Sequence, residues 1–226
     1  MPRVDDYIQA RDLARKHLLQ GNPELVARFS GATINGGKEN GVILSFAFLN
    51  RRTAVTWGDF RMTIEETDEE VPIQQQILLL HYLRGAWVSG GAVSSEEWIS
   101  FQEVPDGRFY IDAFQRRAKA PLIQAFGSKP EHLPEVAAKL YNAVPFDRGD
   151  FSVVVHVLPL VPVALVLWRG DEEFPPDGTI LFDRSISKLL SAEDIAWIAG
   201  MVVYPLVGKV QNTVLSHGAA SVEKAI

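Results

Sequence analysis

Three successive carboxylates, Asp171, Glu172 and Glu173, lie between Trp168 and Phe174 in the stretch from Leu167 to Asp183. Their mutual repulsion is costly unless they are solvated, protonated or facing a cation. A hard cation or a ligand amine would supply that partner, with the two aromatic side chains as apolar walls. The competing reading is a solvated acidic loop anchored by Phe174. His156 interrupts an otherwise apolar run, and strand alternation puts it on one face with Ser152 and Val154. It reads as a core histidine with satisfied ring nitrogens, or, beside the acidic loop, as an acid, base or ligand. Asp183 follows the last apolar strand and precedes Arg184-Ser185, an N-cap position. The ligand-binding set is therefore His156, Trp168, Asp171, Glu172, Glu173, Phe174 and Asp183. The same carboxylates with His156 would serve metal-assisted hydrolysis or lysis if they converged about 2–2.6 Å from one ion.

Other patterns carry less. Ala32-Thr33-Ile34-Asn35-Gly36-Gly37-Lys38-Glu39 approaches a phosphate-binding loop, but Glu39 stands where a Ser or Thr should hold magnesium. The segment also precedes a strand, whereas the mechanism needs a strand before it and a helix after. It reads as a polar hairpin approach. No G-x-S-x-G or H-E-x-x-H occurs, and His17, His81, His132, His156 and His217 are too far apart in sequence for a metal-ligand interval. The acids from Glu65 to Glu70 read as the start of a helix, where the dipole favours negative charge. Arg116, Arg117 and Lys119 read as a solvated helix face. His81 falls beside the apolar stripe of its helix, and Asp194 forms part of a cap. Trp57, Trp87, Trp98, Trp168 and Trp197 suit a core or a pocket wall equally.

The elements that position these groups follow from periodicity and punctuation. Residues 4–20 have helical spacing, and Asn22-Pro23-Glu24 opens a second helix that Gly31 stops. Val42–Leu49, Thr53–Trp57 and Arg61–Glu66 read as a meander, with Asn50-Arg51 as its first tight turn. Thr67-Asp68-Glu69-Glu70 matches a capping box for a helix that reaches Arg84 and is closed by Gly85. Ser94-Ser95-Glu96-Glu97 is a second match, for one helical turn before Trp98. Helices follow over Phe109–Phe126 and from Ser128-Lys129-Pro130-Glu131 to Ala143. The apolar stretch from Phe151 to Trp168 has membrane length, but Pro159 and Pro162 break it into strand, turn and strand. Thr179–Phe182 adds a third strand, and Ser191-Ala192-Glu193-Asp194 opens the last helix, kinked by Pro205. This is an α+β arrangement: antiparallel sheet from two three-stranded meanders, about 42–66 and 151–182, packed with helices. One domain over 1–226 is expected, with a division near residue 70 as the alternative.

Composition bounds the rest. The chain has 226 residues, 47% of them hydrophobic, a net charge of −6 and no cysteine. These values exclude a disordered chain and any cysteine-ligated zinc site or iron–sulfur cluster. A pI of about 5.4 argues against a nucleic-acid partner. With no secretory signal and no spanning helix, a cytoplasmic protein without a membrane partner is expected.

Several segments together carry a resemblance. They are Leu78-Leu79-Leu80-His81-Tyr82-Leu83, Trp98-Ile99-Ser100-Phe101-Gln102-Glu103-Val104-Pro105-Asp106-Gly107, Phe126-Gly127, Pro159-Leu160-Val161-Pro162, Gly170-Asp171-Glu172-Glu173-Phe174-Pro175, Leu181-Phe182-Asp183 and Glu193-Asp194. In this order they resemble the DUF3786 family of anaerobic bacteria and archaea, over roughly residues 71–206, with a looser likeness before that. The resemblance transfers no catalytic residue. It implies anaerobic redox or corrinoid-linked metabolism, because some members are fused to an iron–sulfur domain. Lacking cysteine, this chain would need a redox partner protein for electron transfer. The leading expectation is an accessory protein binding a small molecule or cofactor. The alternatives are a metal-dependent hydrolase or lyase using residues 171–173, and a protein–protein interaction module.

Overall fold

Asn22 ends one helix connection and begins the next: its side-chain Oδ1 accepts from the backbone N–H of Glu24 and Leu25 at 2.8 and 3.2 Å. With Pro23 at the first position and Gly31 left-handed at the end (φ 73°), helix α2 over Pro23–Ser30 is closed at both ends as its sequence demands. It follows α1 (Val4–Leu18), where Asp5 and Asp6 in the first turn and Arg15, Lys16 and His17 in the last complement the helix dipole. The computed structural model describes residues 4–36 and 41–222, with side chains to Val210. The polar turn at Gly37–Asn40 lies outside the described residues.

The chain clusters into two units that interleave along the sequence. Unit 1 holds the segment ending at Glu97, the hairpin tip His156–Val161, and Asp183–Asp194. Its sheet is an antiparallel meander of β1 (Thr33–Asn35), β2 (Ile43–Phe48), β3 (Arg51–Thr56) and β4 (Met62–Ile64), in that order. Leu44, Phe46 and Phe48 alternate into the core of β2, each contributing about 2 kcal/mol on burial. Pairing of Phe48 with Arg51 leaves Leu49 and Asn50 as the two-residue turn, both at positive φ. The turn is therefore one residue earlier than Asn50-Arg51, because the primed hairpin turn needs positive φ at both central positions.

Helix α3 (Ile73–Val88) buries Leu78, Leu79, Leu80, Tyr82, Leu83 and Ala86. Both α1 and α2 pack on it. Tyr82 donates its hydroxyl to the Ser30 carbonyl at 2.5 Å, and burial raises its pKa, so it stays a neutral donor. The expected capping box at Thr67–Glu70 does not form: Pro72 is the N-cap and makes no side-chain cap bond. Asp68 is instead left-handed, and Glu70 forms a bridge with Thr63. Two acids of this run pair with arginines, Glu65 with Arg52 at 2.8 Å and Asp68 with Arg61 at 3.4 Å, rather than lining a helix start. Nor does Gly85 end the helix. A Cβ there would lie 1.9 Å from the Leu189 carbonyl oxygen, so glycine is needed for backbone approach.

Unit 2 holds Trp98–Val155, Pro162–Phe182 and the C-terminal segment from Ile195. It contains β5 (Trp98–Ser100), helix α4 (Ile111–Phe114), a π-helical turn at Gln115–Lys119, α5 (Ala120–Phe126), and α6 (His132–Tyr141) with Asn142 left-handed at its end. Phe114, Ala118, Leu122 and Phe126 recur at four-residue spacing and are buried. Phe101 stacks on Phe114 with ring centroids 4.3 Å apart and meets Phe182 edge-on. The strands are β6 (Val144–Pro145), β7 (Phe151–Leu158), β8 (Val161–Trp168) and β9 (Asp177–Asp183), and the sheet order is β5-β9-β8-β7-β6. Strand β8 is buried almost throughout because both of its faces are covered.

Helix α7 (Ala192–Val222) is longer than its apolar stripe suggested and carries Pro205 inside. Proline cannot donate to the carbonyl four residues earlier, Met201. The Tyr141 hydroxyl donates there instead at 3.4 Å, and to Val202 at 2.9 Å. Among the described residues no helix is long and apolar enough to cross a membrane. The fold is α+β with two antiparallel sheets, of four and five strands. Short edge strands β1, β5 and β6 extend the two expected meanders.

Candidate functional site

The expected site residues divide between the units: His156 and Asp183 belong to unit 1, and Trp168 with Asp171–Phe174 to unit 2. Asp171 closes its own loop. Its carboxylate accepts from the N–H of Glu173 at 2.9 Å and of Phe174 at 2.8 Å, and its N–H donates to the Phe174 carbonyl. Those backbone donors hold the Asp171 carboxyl below its ordinary pKa. Glu172 and Glu173 face solvent, which relieves their repulsion. Phe174 is 67% exposed, so it does not anchor the loop in the core, and Trp168 is 41% exposed. The loop is held by Asp171 and by a close backbone approach at Gly170, where a Cβ would meet the Pro176 nitrogen at 2.6 Å.

His156 is exposed although Ser152 and Val154, expected on its face, are buried. It is the one exposed position between the buried Val155 and Val157, so His156 is not a core histidine. Asp183 is the reverse case. It is 2% exposed and caps the 3-10 turn Arg184–Lys188 by accepting from Ser185 N–H at 2.8 Å. It also accepts from the Ser94 hydroxyl at 2.7 Å, from Ser95 through both hydroxyl and N–H, and from Glu96 N–H. Ser94–Glu97 thus forms no helical turn, and its donors wrap a carboxylate distant in sequence. Burial alone would raise the Asp183 pKa; the donors outweigh it and hold the group well below the usual carboxylate range. With its oxygens so occupied, Asp183 is a structural anion.

A groove in unit 1 lies elsewhere. About 420 Å³ in volume, it is lined by His81 and Arg84 from α3 and by Ser187, Lys188, Ser191 and Asp194 around the start of α7, with Val88, Leu189 and Leu190 as apolar wall. His81 and Asp194 each stand out singly in the sequence, but no local spacing links residues so far apart. His81 Nδ1 donates to Asp194 Oδ1 at 3.0 Å, which fixes the proton on Nδ1 and leaves Nε2 as the ring's other face. The other oxygen, Oδ2, accepts from the Ser191 hydroxyl and N–H at 2.7 and 3.2 Å, while Ser191 Oγ accepts from Asp194 N–H, so this capping box forms as its sequence predicts. The buried Ser187 Oγ has no hydrogen-bond partner.

Asp194 raises the His81 pKa, chiefly through the hydrogen bond; burial and Arg84 oppose the shift, and Glu193 adds to it. A histidine whose folded pKa is raised contributes stability that is fully present below its unfolded value, about 6.5, and lost as pH rises through the folded value. Unfolding free energy measured by urea titration should therefore fall across that window in the native chain. His81→Gln should remove that part of the slope; an unchanged slope would show that the pair contributes nothing to the pH dependence.

Among the described residues no group of three or more His, Asp or Glu side chains stands where it could hold a metal ion. No match to the chain was found among the curated proteins or among the solved structures. One family does match, described as Domain of unknown function (DUF3786), and the match covers residues 22–204. It takes in α2 and the four-stranded sheet, and so begins earlier than the segments from Leu78 onward that carry the resemblance. With most of its length covered in this way, the chain belongs to the DUF3786 family.

Proposed function

We propose that the chain is an accessory binding protein that holds a small molecule in the groove of unit 1. The supporting observation is the groove itself. Its volume of about 420 Å³ falls in the range of metabolite and cofactor sites, and its lining combines apolar side chains with a few polar ones. The unsatisfied Ser187 hydroxyl adds a donor and acceptor for a ligand atom. In this reading the protein is cytoplasmic and works in the anaerobic metabolism that the family resemblance implies. Electron transfer through an iron–sulfur cluster would fall to a partner protein, since the chain has no cysteine. The metal-dependent hydrolase has no specific observation in its favour, and the exposed apolar side chains Val93, Phe109 and Phe174 do not by themselves argue for an interaction module.

Thermal-shift screening tests the reading, because a molecule that binds only the native state raises its melting temperature. At about a hundred times its Kd a true ligand should add about 2.7 kcal/mol, or roughly 5–10 °C for a chain of this size. Corrinoids, tetrapyrroles, nucleotides and small organic acids form the panel. Absence of any shift across all of them would overturn the proposal.

A further inference from the structure

The groove is lined by more basic than acidic side chains although the chain as a whole carries −6. Arg84 from α3 and Lys188 from the 3-10 turn line it, and neither makes a hydrogen bond or ion pair among the described residues. His81 adds a third basic group. The one carboxylate in the lining, Asp194, is already committed on both oxygens, to His81 and to the Ser191 cap. The start of α7 is therefore satisfied by its own capping box, and the open capacity of the groove lies with side chains. Arg84 offers a planar fork of N–H donors, Lys188 a mobile ammonium, and Ser187 a buried hydroxyl without a partner. Unpaired cations beside an orphaned buried hydroxyl are complementary to an oxyanion, and Val88 and Leu190 are complementary to a short apolar tail.

Resting on the binding function proposed above, we infer that the ligand of this groove is a small organic anion. Its carboxylate or phosphate group is held by Arg84, Lys188 and Ser187, with His81 as the pH-dependent member of the site. The groups acting on His81 are Asp194, Arg84 and Glu193, and Lys188 lines the same groove. Asp194 favours the protonated ring, and in that form His81 is a cation and donor toward an anionic ligand. Affinity for an anion should accordingly fall as pH rises through the His81 transition.

The test uses the full chain and three probes: inorganic phosphate, butyrate, and butyramide as the neutral isostere of butyrate. Binding is followed by calorimetry and by amide shifts of Gly85 and Ser187. Phosphate distinguishes a phosphoryl ligand from a carboxylate one. The expected result is saturable binding of at least one anion, weakened about tenfold or more in the Arg84→Gln/Lys188→Gln double variant and, for butyrate, whose own charge is constant there, weakened as pH rises above about 6.5. The Arg116→Gln/Arg117→Gln variant, altered in unit 2, should bind as the native chain does. Equal anion affinity in the groove double variant would overturn the inference. Groove shifts with butyramide but with neither anion would overturn it and leave the binding function standing. No groove shift with any probe, joined to an empty thermal-shift panel, would overturn both.

Discussion

Asp183→Ala should be among the most damaging single substitutions in the chain, with an expected loss of about 3–5 kcal/mol in unfolding free energy. The side chain is 2% exposed and accepts from Ser94, Ser95, Glu96 and Ser185. Alanine would leave those donors converging on a void, and the unmade bonds cost more than the ones formed had gained. In a chain of 226 residues this corresponds to roughly 10 °C or more in Tm. Asp183→Asn keeps the shape and part of the acceptor capacity, so it should fall between. It also supplies a sign test. The folded pKa of Asp183 lies below its unfolded value, so the group's stabilisation is present above about pH 4 and is lost as pH falls toward the folded pKa. The native chain should lose stability more steeply in acid than Asp183→Asn. Equal acid limbs in chemical denaturation would show that the carboxylate charge is not what Ser94–Glu96 recognise.

Gly85→Ala is expected to reverse the usual rule for helices. Alanine at an interior glycine ordinarily stabilises a helix by about 1 kcal/mol. Here the added Cβ would sit 1.9 Å from the oxygen, 2.7 Å from the carbon and 2.9 Å from the Cα of Leu189. All three are backbone atoms, so no side-chain rotation relieves the clash, and either α3 or the Leu189 segment must move. A loss of about 3 kcal/mol is expected, at the upper end for overpacking. Because Gly85 and Leu189 both line the groove, ligand affinity should fall along with stability. Gly208 provides the control: a Cβ there meets nothing within 4 Å, so Gly208→Ala should be neutral or stabilising. A Gly85→Ala chain as stable as the native one would mean that the α3–Leu189 approach is looser than described.

Local signals were readable where one residue's chemistry decides the outcome. Asn22 and Gly31 bound α2 because cap and left-handed geometry are local requirements. Ser191 and Asp194 form their capping box for the same reason. The pattern of Ser or Thr followed three residues later by an acid misled at Thr67–Glu70 and Ser94–Glu97. In both segments a left-handed residue, Asp68 or Glu96, bends the backbone away from a helix, and the polar groups find distant partners. Those partners, Thr63 for Glu70 and Asp183 for the serines, are set by tertiary structure. Gly85 read as a stop because a glycine after an apolar stripe normally is one; its role depends on Leu189, more than a hundred residues away. His81 and Asp194 were each visible as polar residues at a helix edge. Their pairing needed two helices brought together, which no spacing encodes.

The acidic loop shows the converse. Asp171–Phe174 is unusual in sequence because its charges are adjacent, yet its geometry is that of a turn closed by Asp171, with Glu172 and Glu173 in solvent. Unusual composition marked a stable turn, while the groove is assembled from residues that are individually ordinary.

Where a small molecule lands on the protein decides between the groove and the acidic loop. Amide shift mapping of the full chain during titration with butyrate or phosphate should move Gly85, Ser187, Leu189 and Ser191 together, with one saturation curve, and leave the 171–174 loop unchanged. Shifts confined to Asp171–Phe174, with the residues around His81 unmoved, would contradict it.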